Sequence, residues 1–90
     1  MVKSFRHKGL QTFFETGKKS GISPEHTKRL RQILTVLEAA KEQKDIAGLP
    51  GLHQLAGSYA GFWAVSVSGN WRVIFKFDQG VTDIDYLDYH

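Results

Sequence analysis

Two histidines far apart in the chain, His53 and His90, are the residues best suited to moving protons. His53 follows the loop Gly48-Leu49-Pro50-Gly51, and His90 closes the stretch Asp88-Tyr89-His90 at the end of the last predicted strand, so folding can bring the two imidazoles together. Histidine exchanges protons near neutral pH because its unperturbed pKa is about 6.5. A carboxylate beside an imidazole, here Asp88 beside His90, favours the charged ring and holds an acid ready. Cleavage of RNA without a metal needs these parts: a base for the ribose 2′-hydroxyl proton, an acid for the departing 5′-oxygen, and cations facing the charged phosphorane. Two histidines without such partners are commonly ordinary surface residues.

The other two histidines have plainer readings. His26 falls in the first turn of a helix, where the peptide dipoles favour acids, and is expected at the surface. His7, between Arg6 and Lys8, is expected to add to a basic patch. No pair of histidines has the spacing of a helical zinc motif or a zinc-finger half-site, and the chain contains no cysteine. Neither a metal nor another cofactor is expected.

The elements that must position these groups fit within one domain, residues 1–90, since a chain of this length buries one modest core. No apolar run is long enough to span a bilayer, and MVKSFRHKG has no apolar secretory segment, so the expected location is the cytoplasm. Charge is uneven along the chain. Met1 to Lys44 holds ten Lys/Arg against four acids, a net +6, so the remainder carries −3 of the overall +3. The basic half offers Lys18, Lys19, Lys28, Arg29 and Arg31 as a surface for a polyanion, or merely as a soluble helical face.

Val2 to Phe5 suits an edge strand, and Leu10, Phe13 and Phe14 mark one face of a helix that Gly17 ends. Ser23-Pro24-Glu25 predicts an N-cap, a proline at the first helical position and an acid in the first turn. Leu30, Ile33, Leu34 and Leu37 then form an apolar stripe that Ala40 continues. After the loop at 48–51 the pattern reads as sheet: Phe62 to Ser68, Trp71 to Phe77 with clean alternation, and Val81 to Tyr89. Helices first and hairpins afterwards predict an α+β domain, two N-terminal helices on a mostly antiparallel sheet. Strict alternation puts Asp88 and His90 on one face of the last strand and Tyr89 on the other, so their convergence requires a bend, from a bulge or a frayed end after Leu87.

The segments KSFRHKGL, GLPGLHQLAGSYAGFWAVSVSGNWRVIFKF and DYLDYH, in this order and spacing, closely resemble the HigB toxins of the RelE/ParE superfamily across essentially the whole chain. That resemblance implies a compact α+β toxin that cleaves messenger RNA on the translating ribosome without a metal. It also implies silencing by a helix-turn-helix, HigA-like antitoxin in a hetero-oligomer. The implied site is His53 and His90 for proton transfer, Asp88 to orient or charge an imidazole, Arg72 for the scissile phosphate, and Tyr89 for stacking or hydrogen bonding to a base. Where the family carries a lysine, this chain has Ala56. The missing cation implies a weaker nuclease, unless Lys76 or another base compensates. The alternatives are a non-enzymatic inhibitor of DNA gyrase, as in ParE toxins of the same superfamily, and a catalytically weakened relative that only binds its antitoxin.

Overall fold

A computed structural model describes residues 1–89. Helix α1 (Lys8–Thr16) and helix α2 (Thr27–Ala39) lie on one face of a sheet whose strands β1 (His53–Gln54), β2 (Trp63–Ser68), β3 (Trp71–Phe77) and β4 (Val81–Asp88) run as an antiparallel meander in chain order. The apolar spacing explains the layers. Leu10 and Phe13 of α1 and Leu30, Ile33, Leu34 and Leu37 of α2 are buried against Val65, Val73, Phe75, Val81 and Ile84 of the sheet. The α+β expectation holds, and β3 has the bounds read from its alternating residues.

Capping differs from expectation. His7, expected to join a basic patch, is the N-cap of α1: its Nδ1 accepts the Leu10 amide at 2.9 Å. Replacing His7 with alanine is expected to cost about 1 kcal/mol, whereas asparagine, which keeps a capping acceptor, costs much less. Urea denaturation of the two variants checks this, and equal losses would assign the effect to the ring's packing on Tyr86 instead. Ser23 makes no side-chain cap, because Pro24–His26 forms a separate 3-10 turn before α2 begins. That turn also corrects the reading of His26. It carries the ring inward, where the residue is 5% exposed and Nδ1 lies 2.5 Å from the Tyr86 hydroxyl, among the rings of Trp71 and Tyr86.

Beyond α2 the chain reverses through the turn Gln43–Ile46. The Asp45 carboxylate accepts the amides of Lys41 and Glu42, which holds its pKa below the usual carboxylate value. The expected edge strand at Val2–Phe5 reduces to two isolated parallel bridges, Val2 to Val81 and Phe5 to Ile84. A bulge in β4 explains the reduction. Ile74 pairs with Asp85 but Lys76 pairs with Thr82, so β4 spends one extra residue there, and Asp83 adopts φ 56°. Its amide donates to Ser4 Oγ at 2.9 Å, and Ser4 O accepts the next amide, from Ile84. The extra residue places Val81 on the same side as Ile84 and Tyr86, all in the core, which unbroken alternation would not do.

Candidate active site on the open face of the sheet

Directly paired residues of an antiparallel ladder point to the same side of the sheet. One row across the strands is therefore His53, Ala64, Ile74 and Asp85, and the next is Ser66, Arg72 and Leu87. Ala64 and Ile74 are buried with Phe62 in a second apolar cluster, joined by Leu55, Tyr59 and Leu87, on the side away from the helices. His53, Arg72 and Lys76 share that side, above an apolar floor. From a strand spacing of about 4.8 Å and a rise of about 3.4 Å per residue, the Cα atoms of His53 and Arg72 are about 12 Å apart, close enough for their side chains to flank one phosphodiester.

His53 is exposed, and its Nδ1 lies 2.8 Å from the Gly51 carbonyl. A carbonyl only accepts, so Nδ1 carries the hydrogen, and in the neutral ring Nε2 is the lone-pair nitrogen. The loop that sets this tautomer is itself docked on β2. Pro50 O accepts the Ser66 amide at 2.9 Å, and a Cβ at Gly51 would come within 2.3 Å of Ser66 Oγ. Glycine suits this position chiefly because Gly51 has φ 64°, and a Cβ would also displace the Ser66 hydroxyl. Arg72 Nη1 donates to the carbonyls of Gly69 at 2.6 Å and Trp71 at 2.9 Å. A guanidinium has five N–H donors, so this anchoring leaves others to meet a phosphate.

The tail divides between the two faces. Pairing continues without interruption through Val73–Tyr86, Arg72–Leu87 and Trp71–Asp88, and the Tyr89 amide donates to Asn70 O at 2.8 Å. The bulge expected after Leu87 is therefore absent there; β4 has its irregularity at Asp83 instead. Asp88 consequently lies on the helix side, lining a pocket with His7, Trp71 and Tyr86, while the Tyr89 ring meets Tyr59 at 5.8 Å on the open side. His90 lies outside the described residues. Lys28, Arg29 and Arg31 of α2 belong to the opposite layer, and Lys18 and Lys19 lie in the loop between the two helices, separate from His53 and Arg72 in the sequence and in the sheet.

Three residues on the open face escaped sequence reading. Tyr59, in the 3-10 turn Gly57–Tyr59, bridges the rings of Phe62 and Tyr89 and extends the apolar floor. Asp85, whose carboxylate accepts the Tyr86 amide, places an acid on the His53 row. Arg6 arrives from the other end of the chain with the N-terminal segment, and nothing in its neighbours in sequence signals it. Among the described residues no three His, Cys, Asp or Glu side chains gather as a metal site.

A small antiparallel meander with a basic, histidine-bearing open face and two helices behind it suits a RelE-like toxin. Residues 3–90 match the family model described as the RelE-like toxin of type II toxin-antitoxin system HigB, and the chain belongs to this HigB-like toxin family. Over 92 aligned residues it is 38% identical to the Proteus vulgaris protein named Endoribonuclease HigB, with both chains covered in full. It is 31% identical to Toxin HigB-1 of Vibrio cholerae serotype O1, covering all of this chain and 98% of that one. The family resemblance read from the sequence is thereby established, and membership of a type II system implies an antitoxin partner.

Proposed function

We propose that this toxin is an endoribonuclease, acting without a metal, that cuts messenger RNA on the translating ribosome. It works in the cytoplasm and is silenced by a HigA-like helix-turn-helix antitoxin in a hetero-oligomer. The observation that carries the reading is His53: its Nδ1 is committed to Gly51 O, and it shares an open, basic sheet face with Arg72.

In this reaction His53 Nε2 takes the proton of a ribose 2′-hydroxyl, and the 2′-oxygen attacks the adjacent phosphorus. The bond to the 5′-oxygen breaks, leaving a 2′,3′-cyclic phosphate, and His90 protonates the departing oxygen. Arg72 faces the non-bridging oxygens, where charge develops. Tyr89, backed by Tyr59, gives a base an aromatic surface to stack on. In the helical half of the chain Lys18, Lys19, Lys28, Arg29 and Arg31 dock against ribosomal RNA phosphates, a contact that weakens with salt.

Mapping of message cleavage on purified translating ribosomes tests this reading. Wild type is expected to produce discrete cuts bearing 2′,3′-cyclic ends. Intact messages, together with inhibition of DNA gyrase supercoiling by the same preparation, would replace the nuclease with a ParE-like inhibitor.

A further inference from the structure

Arg6 and Lys76 are separated by most of the chain, yet both lie against one ring. The Arg6 guanidinium carbon is 5.0 Å and the Lys76 Nζ 5.1 Å from the centroid of Phe62, which is 5% exposed. The ring's negative face attracts both cations and holds two positive charges close together. Arg6 has Asp83 at 3.7 Å from its Nε, a surface ion pair that leaves the outer nitrogens of the guanidinium. Among the described residues no carboxylate lies within ion-pair distance of Lys76. Lys76 and the outer nitrogens of Arg6 are left to meet an anion, since Asp85, on the same face, accepts the Tyr86 amide.

We infer that Arg6 and Lys76, held by Phe62, form a phosphate clamp for the RNA strand on the open face. The inference rests on the nuclease reading and names a binding residue, Arg6, beyond it. Geometry favours a nucleic acid. Lys76 follows Arg72 by four residues of β3 on the same side of the sheet, a Cα separation of about 14 Å, which exceeds one nucleotide step. A strand whose scissile phosphate sits at Arg72 thus presents a phosphate further along to the clamp while its bases cross the partly exposed Leu55, Tyr59 and Leu87. The clamp also adjoins the loop bearing Ala56, because the Leu55 amide donates to Phe62 O at 2.9 Å. Charge missing at position 56 is supplied from the neighbouring strand and from the N-terminal segment.

The test measures the affinity of the full chain for a single-stranded RNA oligonucleotide made uncleavable by 2′-O-methyl groups, across a range of salt. Arg6→Gln and Lys76→Gln are each expected to lower the slope of log affinity against log salt by about 0.7, the increment for one phosphate on a single strand. Arg6→Lys keeps the slope, Lys44→Gln leaves it unchanged, and Ala56→Lys restores one increment to the doubly substituted protein. Thermal denaturation confirms that each variant folds. Unchanged slopes in both glutamine variants, or a wild type without affinity for the oligonucleotide at low salt, would overturn the clamp. So would weakened binding of the antitoxin with RNA slopes intact, which would assign the cations to an acidic protein segment. Reduced slopes combined with uncut ribosomal messages would uphold the clamp and remove the nuclease.

Discussion

Alanine at position 53 is expected to slow message cleavage on translating ribosomes by about 10²–10⁴-fold, the usual contribution of a positioned general base. The fold should barely register the change, because His53 is exposed on a strand of two residues and its bond to Gly51 O is a surface contact. Single-turnover cleavage separates the chemical step from ribosome binding, and urea denaturation measures the fold. The pH profile supplies a second readout: with the base removed, the rise in rate on the acid side should flatten. Cleavage within tenfold of wild type, with that acid limb intact, would reassign the base to another group.

Arg72→Ala is expected to lower the same rate by about 10²–10³-fold, the cost of removing one donor aimed at developing negative charge. Lysine should recover only part of it. The guanidinium spreads its donors over a planar fork, so it bonds the carbonyls of Gly69 and Trp71 while other N–H groups face the phosphate. An ammonium on a flexible stem offers a point charge without that division of labour. Losing two partly exposed hydrogen bonds costs the hairpin about 1 kcal/mol each at most, so a stability loss that scaled with the rate loss would mark Arg72 as a hairpin clasp instead. Chemical denaturation and cleavage rates on the same variants decide between these roles.

The parts of this molecule set by local periodicity were legible in its sequence. Strand β3 shows its bounds because Trp71, Val73, Phe75 and Phe77 alternate with Arg72, Ile74 and Lys76 between two turns. The apolar stripe of α2 shows itself through its helical spacing. What depends on partners distant in the chain was hidden. His26 looks like a surface residue by position, but the hydroxyl that accommodates it belongs to Tyr86, 60 residues later. The bulge at Asp83 has no glycine to announce it, and it is bound up with Ser4 from the opposite end of the chain. Of the candidate site, His53 and Arg72 were visible as types, whereas their placement on one face came from ladder register. The separation of Asp88 from Tyr89 followed from simple alternation, and no bend undoes it among the described residues, because the Asn70 carbonyl holds the Tyr89 amide in the ladder.

The parallel bridges between the N-terminal segment and β4 also govern when this face becomes complete. Val2 and Phe5 pair with Val81 and Ile84, contacts that close nearly the whole chain into a loop, while β1 to β4 form by short, sequential hairpins. Contacts of such long sequence separation form late, after the local ones have shortened the loop. During synthesis Met1 and Val2 can meet Ala40 and Glu38 of the helical half early, but the bridges of Val2 and Phe5 wait for β4. Arg6, whose amide donates to Ile84 O and whose side chain faces Asp83, depends on β4 for its place beside Phe62, so a chain that ends before β4 carries the cation without the structure that positions it.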